Sequence, residues 1–199
     1  LTKGFKTDNN KIISGIRGIP DGLLITFNPD LKDPIQVGLI EYECFGESKT
    51  KSTDKSNYMN SQIIPQLMRF ASSFSVVTDR QTREETINEW TRKIIEFIYN
   101  DNNAQSKINQ WIKILHKNIS EQLIALKIQE ALTTAFKSSV KVILIIDDLS
   151  SEQKETIKNV INSFKLENGN SIQFTGYVVR LTQKISLLNN ESEYALSIQ

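Results

Sequence analysis

Three carboxylate side chains occur where the sequence predicts two neighbouring strands. Asp21 precedes the run GLLITF, and Glu41 and Glu43 end the later run IQVGLIEYE. Glu41 and Glu43 are two positions apart, so on a strand they point to the same face, roughly 6.6 Å apart along the chain. Carboxylates held close together cost free energy unless a cation lies between them. The spacing therefore favours a divalent metal ion and metal-dependent hydrolysis.

A β-hairpin would position these carboxylates. The runs Gly22–Phe27 and Ile35–Glu43 are largely apolar, and an Asn-Pro-Asp sequence ends the first of them. Because the connection between the runs is short, we expect the two strands to pair antiparallel. This pairing brings the start of one strand near the end of the other, and so Asp21 near Glu41 and Glu43.

A helix is predicted after the hairpin, because apolar residues recur there every three or four positions. This stripe consists of Met59, Ile63, Leu67, Phe70 and Phe74. Gln62, Gln66 and Arg69 fall on the polar face of the same helix. Further apolar stripes predict a block of three helices over residues 79–137, with no strand.

The second half of the chain completes an α/β pattern. Val140–Ile146 is a largely continuous apolar run, which indicates a strand buried on both faces. Ser150-x-x-Gln153 is a capping box that opens a helix, and Ile172–Leu181 is the last predicted strand. We expect one domain over residues 1–199, an α/β sandwich with a mixed sheet.

The two ends of the chain carry weaker signals. Lys11–Gly15 is a short candidate for a first strand, and the polar tail after Asn189 contains no predicted element. The first residue is Leu1, so we expect the chain to be a processed form or a fragment, with an element of the domain upstream.

Composition limits the chemistry that the chain can use. Hydrophobic residues make up 39% and charged residues 24%, and no apolar run reaches the roughly 18 residues of a membrane span. There is no signal-peptide pattern, so we expect a cytoplasmic protein with no membrane partner. The chain has one cysteine, Cys44, and one histidine, His116, which excludes a zinc site built mainly from Cys and His. We expect Cys44 to be buried and structural, and to point away from the carboxylates.

A lysine-rich loop follows the Glu-x-Glu strand. Lys49, Lys51 and Lys55 are its cations, in a chain whose formal net charge is only +1 at pH 7. One interpretation is an ordinary solvated loop. The functional interpretation is a loop that contacts phosphate groups beside a metal site.

Asp147 and Asp148 follow the late apolar strand, as acids do in a Walker B strand. The chain lacks the Gly-x-x-x-x-Gly-Lys-Ser/Thr loop that cradles nucleotide phosphates. We therefore interpret the two aspartates as strand-end and helix-entry residues.

An Ile-Pro-Asp sequence before one strand, a Glu-x-Glu at the end of the next and a helix carrying Gln62 resemble the PD-(D/E)XK nuclease superfamily. The resemblance implies a restriction-endonuclease-like fold, with a mixed central sheet flanked by helices. The sheet would contain a three-stranded antiparallel portion. It would be preceded by a helix at or upstream of residue 1, and residues 79–137 would be an all-helical insertion.

The resemblance also implies roles for particular residues. Asp21 and Glu41 would bind Mg²⁺ or Mn²⁺, and Glu43 would join them as a catalytic residue. Glu43 stands where the family usually has lysine, and either Lys49 or Lys51 is a candidate for the missing cation. Lys49, Lys51, Lys55 and Gln62 would contact nucleic acid.

The leading hypothesis is a Mg²⁺-dependent endonuclease that hydrolyses DNA phosphodiester bonds in restriction or repair. A homodimer would match the symmetry of a duplex substrate. The alternative, motivated by Glu43, is a catalytically inactive nuclease-like domain that binds nucleic acid or protein. A third interpretation is an unrelated α/β interaction domain in which the acids are incidental.

Overall fold

The structure, a computed structural model, describes residues 5–6, 12–13, 19–46, 49, 51–185 and 192–198. The strands are β1 (Phe5–Lys6), β2 (Ile12–Ile13), β3 (Gly22–Phe27), β4 (Ile35–Glu43), β5 (Val140–Ile146), β6 (Gln173–Ile185) and β7 (Ser192–Ile198). The helices are α1 (Ser52–Tyr58), α2 (Ile64–Phe74), α3 (Arg80–Asn100), α4 (Asn102–Leu115), α5 (Glu121–Ser138) and α6 (Ser151–Asn162), with a π-helical segment (Met59–Ile63) between α1 and α2.

The predicted hairpin is confirmed. Strands β3 and β4 pair antiparallel, with Gly22 opposite Ile40 and Phe27 opposite Ile35. Strands β5 and β6 extend the sheet in parallel, and β7 closes it antiparallel to β6, giving the order β3-β4-β5-β6-β7. The sheet is therefore mixed, as predicted. Because β4 and β5 are parallel, their carboxyl ends meet at one edge, where Glu43 lies opposite Ile146.

The predicted three-stranded antiparallel portion does not occur in the described residues. The candidate strand Lys11–Gly15 is described only at Ile12–Ile13, where β2 pairs with β1 in a separate two-stranded sheet. The tail prediction was wrong, because β7 forms after Asn189. Its alternation of Tyr194, Leu196 and Ile198 with smaller or polar residues is the signal for a strand.

The helices described pack against one face of the sheet. On that face, alternate residues of β4, β5 and β6 are buried, among them Val37, Leu39, Val142 and Leu144. The opposite face is more exposed: Leu24 and Tyr177 keep 43% and 42% of their surface accessible. The prediction that β5 is buried on both faces is met in part, because Ile143 on this opposite face is buried and Lys141 and Ile145 are half-buried. The sheet was expected to be flanked by helices, and the described helices cover only one of its faces.

The helical block over residues 79–137 contains α3, α4 and most of α5, and it carries no strand, as predicted. Its apolar side chains share one core with the sheet rather than forming a separate core. Phe136 of α5 stacks on Phe74 of α2 with ring centroids 5.0 Å apart, and Trp90 of α3 packs edge-on against both. The block thus supports the helices that cover the carboxyl end of the hairpin.

The π segment sits where Pro65 interrupts the helix after the hairpin. Proline has no N–H, and its ring clashes with the carbonyl four residues earlier, so a regular helix cannot pass through residue 65. The wider π turn accommodates this with the longer bond from the Ile64 N–H to the Met59 carbonyl. The predicted stripe from Met59 to Phe74 is nevertheless buried throughout. No helix in the described ranges is both long and apolar enough to cross a membrane.

Candidate active site

The hairpin register places Asp21 at the end of β4. Asp21 directly precedes the Gly22–Ile40 pair, and its Oδ2 atom accepts a hydrogen bond of 3.0 Å from the Tyr42 backbone N–H. Tyr42 lies between Glu41 and Glu43 in the sequence. The structure therefore brings the three predicted carboxylates to one end of the hairpin.

Glu41 is buried, with 4% of its surface exposed, because it lies on the helix-facing side of β4 beyond Val37 and Leu39. Its Oε1 atom accepts a hydrogen bond from the side-chain amide of Gln66 in α2. Its Oε2 atom is buried and has no hydrogen-bond partner among the residues that the structure describes. A buried carboxylate oxygen without a partner is costly, since the desolvation of the group is not compensated.

The pKa of Glu41 is raised from 4.5 to about 7. Burial is the largest cause, followed by the negative charges of Asp21 and Glu43, whereas the Asp21 backbone N–H and then the Gln66 amide oppose the increase. No cation of the described residues is therefore among the groups that set the pKa of Glu41. Such perturbed groups are concentrated at functional sites, although structural clusters also produce them.

Glu43 is half-buried, and a residue of helix α1 donates a hydrogen bond to its carboxylate. The Tyr58 hydroxyl at the end of α1 donates a hydrogen bond of 2.9 Å to its Oε2 atom. This hydrogen bond is the largest cause of a raised Tyr58 pKa, followed by burial. Tyr58 therefore remains a protonated donor to Glu43 at neutral pH.

The carboxylates are oxygen donors, the type that Mg²⁺ prefers. Asp21, Glu41 and Glu43 each use one oxygen on a protein donor and have a second oxygen. Across the residues that the structure describes, no group of three or more His, Cys, Asp and Glu side chains is arranged to hold a metal ion. The donor set thus fits Mg²⁺ in chemistry through the second oxygen of each carboxylate, although the described side chains do not form a preorganised metal site.

The three predicted loop lysines lie in different surroundings. Lys49 is half-buried, with its Nζ atom 4.1 Å from the centroid of the Tyr58 ring. Lys51 is exposed at the residue before α1. Lys55 forms an ion pair of 2.6 Å with Asp148 and lies over the Phe45 ring. Lys49 and Lys51 were the candidates to replace the lysine that the family usually has at position 43. Of these two, Lys49 contacts Tyr58, the residue that donates a hydrogen bond to Glu43.

Gln62 is exposed, and the structure brings Gln66 rather than Gln62 to Glu41. The sequence placed both glutamines on one polar face, which is how Gln66 could have been found. The resemblance pointed to the other glutamine, and the π segment separates the two by an irregular turn that sequence spacing does not predict.

A second carboxylate group lies at the end of β5. Asp147 accepts hydrogen bonds from the backbone N–H groups of Phe45 and Gly46 at 3.0 and 3.4 Å, and from the Cys44 thiol at 3.2 Å. Burial, the largest single effect, raises the pKa of Asp147, but these hydrogen bonds together hold it below its ordinary value. The prediction that Cys44 is buried was wrong: the residue is exposed.

Asp148 is paired with cations on both sides. Lys55 contacts its Oδ2 atom at 2.6 Å, and Arg180 of β6 contacts its Oδ1 atom at 2.9 Å. The hydrogen bond from Lys55 is the main reason that the pKa of Asp148 is lowered. The prediction that both aspartates are strand-end residues fits their structural contacts.

Comparison with protein-family models, with curated proteins and with solved structures found no match to this chain. The resemblance to the PD-(D/E)XK superfamily therefore stays a prediction that rests on the residues of the hairpin. What the structure adds is a buried, partly unsatisfied carboxylate at the position that the resemblance assigns to a metal ligand.

Proposed function

We propose that this chain is a Mg²⁺-dependent endonuclease that hydrolyses DNA phosphodiester bonds. The observation that carries the proposal is Glu41, which is buried near two other acids and has one oxygen with no hydrogen-bond partner in the described part of the chain. A fold retains such a group at a cost of stability, and a cation bound there would remove that cost.

Asp21 and Glu41 would hold the ion. Bound Mg²⁺ supplies charge neutralisation for the phosphate and a water of lowered pKa. Gln66 fixes the orientation of Glu41 by donating to Oε1, which leaves Oε2 as the oxygen available to a ligand. Asp21 is oriented in the same way by the Tyr42 N–H.

Glu43 is the residue that we assign to proton transfer. Its Oε2 atom accepts from Tyr58, so its Oε1 atom is the one that can accept a proton from the attacking water. Ionised Glu43 can accept this proton directly, whereas a lysine at the same position could accept it only in its neutral form.

The second candidate is a domain of the same kind that binds nucleic acid without cutting it. The observation in its favour is Glu43 itself, since the resemblance expects a lysine at this position. In this case the carboxylates would bind a structural cation, and the loop lysines would still contact phosphate groups.

Incubation with supercoiled plasmid in Mg²⁺ or Mn²⁺ separates the two candidates. We expect nicked or linear product from the wild-type chain and none in EDTA. Asp21→Asn and Glu41→Gln should each lower the cleavage rate more than about 100-fold. Mutation of a residue that only hydrogen-bonds to a metal ligand already lowers metal affinity or activity roughly 10- to 100-fold.

The matched control is Asp30→Asn, which removes an exposed acid from the turn of the same hairpin. It should cut at the wild-type rate. If the wild-type chain gives no metal-dependent product, or if Glu41→Gln cuts as fast as Asp30→Asn, the endonuclease proposal fails. Salt-dependent binding of DNA without cleavage would then support the second candidate.

A further inference from the structure

Two lysines that follow β4, Lys49 and Lys55 of α1, lie against a pair of aromatic rings. Phe45 and Tyr58 pack edge to face, with centroids 6.2 Å apart. The Lys55 Nζ atom lies 5.4 Å from the Phe45 centroid, and the Lys49 Nζ atom lies 4.1 Å from the Tyr58 centroid. An ammonium group at such distances is attracted to the negative face of a ring.

The two lysines differ in what else they contact. Lys55 is neutralised by Asp148, with which it forms an ion pair of 2.6 Å. Lys49 instead stands over the ring whose hydroxyl donates to Glu43. Tyr58 therefore contacts the Lys49 ammonium group through its ring and Glu43 through its hydroxyl.

A nucleic-acid strand that approaches these carboxylates brings further negative charge. A phosphate group beside three acids is repelled unless cations reach it. Lysine acts on phosphate as a compact point charge with three donors. A ring that holds the ammonium also lowers the entropy that Lys49 would lose on contacting a phosphate.

We propose that Lys49 is a phosphate-contacting residue of the carboxylate site, and that Tyr58 is its positioning residue. The ligand is a backbone phosphate of the nucleic-acid strand lying against Glu43. This inference rests on the proposed function for its link to cleavage, but it predicts a binding effect that is measured without metal.

The first experiment measures binding of a fluorescein-labelled DNA duplex by anisotropy, in EDTA and over a series of KCl concentrations. Lys49→Met should weaken binding and reduce the slope of log K against log [salt] by about one, because one fewer phosphate is neutralised. Lys49→Arg should keep the wild-type slope, since it retains the charge and the contact with the ring.

Lys117→Met is the matched control. Lys117 is exposed and follows His116, which lines a cavity with Ile35 at the opposite end of β4 from the carboxylates. The control should keep the wild-type slope. If Lys49→Met has the same slope as Lys117→Met, the inference is overturned.

Tyr58 is tested by two substitutions. Tyr58→Phe keeps the ring and loses the hydroxyl, so we expect it to keep the slope. Tyr58→Leu loses the ring and should reproduce the reduced slope of Lys49→Met. An unchanged slope in a folded Tyr58→Leu variant, with folding checked by circular dichroism, would remove Tyr58 from the proposal.

Cleavage kinetics give a second readout. In Mg²⁺, Lys49→Met should lower kcat on the order of 100-fold, as loss of a donor to developing charge does, while Lys117→Met should not change it. A wild-type chain that does not cut overturns the proposed function, whereas the salt slope still decides whether Lys49 contacts phosphate. A wild-type kcat in Lys49→Met would restrict Lys49 to binding and overturn its place at the cleaved bond.

Discussion

Two groups of carboxylates lie at the same edge of the sheet, and their pKa values are shifted in opposite directions. The hairpin cluster (Asp21, Glu41 and Glu43) lies at the end of β4, and the strand-end cluster (Asp147 and Asp148) lies at the end of β5. The pKa of Glu41 is raised to about 7, mainly by burial and by its two acidic neighbours. The pKa values of Asp147 and Asp148 are both lowered.

The difference comes from the partners. The strand-end cluster is satisfied by two cations, a thiol and two backbone N–H groups, and it needs no ligand to be stable. Among the described residues, the direct hydrogen bonds to the hairpin cluster come from an amide, a hydroxyl and a backbone N–H, all of them uncharged. A cluster of carboxylates is therefore not by itself an indication of a functional site. A cluster of carboxylates without compensating positive charge is a stronger indication.

The largest expected effect is a gain of stability in Glu41→Gln. The folded state binds the Glu41 proton more tightly than the unfolded state, so wild-type stability falls as pH rises from about 4.5 to about 7. A neutral amide removes this loss. Without metal at about pH 8, the free energy of unfolding should rise by as much as about 3 kcal/mol.

Urea unfolding in EDTA at about pH 5 and about pH 8 measures this prediction, with Asp30→Asn as the control. The gain should be large at the higher pH and small at the lower one. A Glu41→Gln variant that is less stable than wild type at both values would contradict the raised pKa and remove the contrast between the clusters.

The opposite sign is expected at the strand-end cluster. Asp147→Ala leaves the N–H groups of Phe45 and Gly46 without their acceptor, so the free energy of unfolding should fall by about 2 kcal/mol. Asp147→Asn keeps one carbonyl oxygen and should lose less. The same urea titration compares the two variants. An unchanged free energy of unfolding in Asp147→Ala would show that the hydrogen bonds do not stabilise the turn.

A smaller effect is expected from Gln66→Ala. Its amide donates to ionised Glu41, so stability should fall by about 1.5 kcal/mol at about pH 8 and by less at about pH 5, where Glu41 is protonated. Gln62→Ala, on the exposed side of the same helix, should leave stability unchanged at both pH values. Equal losses in the two variants would argue against the specific contact between Gln66 and Glu41.

The smallest effect is expected from Asp148→Asn. Its ion pairs with Lys55 and Arg180 are partly exposed, so their loss should cost less than about 1 kcal/mol. The cost should shrink further at high KCl, because salt screens exposed charges. Thermal unfolding at low and high KCl provides the measurement, and a large, salt-independent loss would indicate a more buried pair.

The local patterns in the sequence predicted much of the fold. Two apolar runs and a short turn were sufficient for the β3–β4 hairpin, and helical periodicity was sufficient for the buried stripe from Met59 to Phe74. The capping box at Ser150 and Gln153 forms as its residues indicate. These features depend on residues that are near one another in the chain.

Other features depend on tertiary contacts or on irregular backbone. The pair of Lys55 and Asp148 joins residues 93 positions apart, which no local pattern predicts. Cys44 was expected to be buried and, by strand parity, to point away from the hairpin carboxylates. It is exposed, and β4 ends at Glu43, so strand parity no longer applies at residue 44. The roles assigned to Asp21, Glu41 and Glu43 in catalysis stay predictions.

The hairpin cluster has no cation bound to it among the described residues, and we propose that it binds Mg²⁺. Isothermal titration calorimetry with Mg²⁺ alone, at about pH 8 and without DNA, measures this binding directly. We expect Mg²⁺ binding in the wild-type chain and in Asp148→Asn, and loss of binding in Asp21→Asn and in Glu41→Gln. Absence of Mg²⁺ binding in the wild-type chain, or binding that Glu41→Gln leaves unchanged, would show that the hairpin cluster is not a metal site.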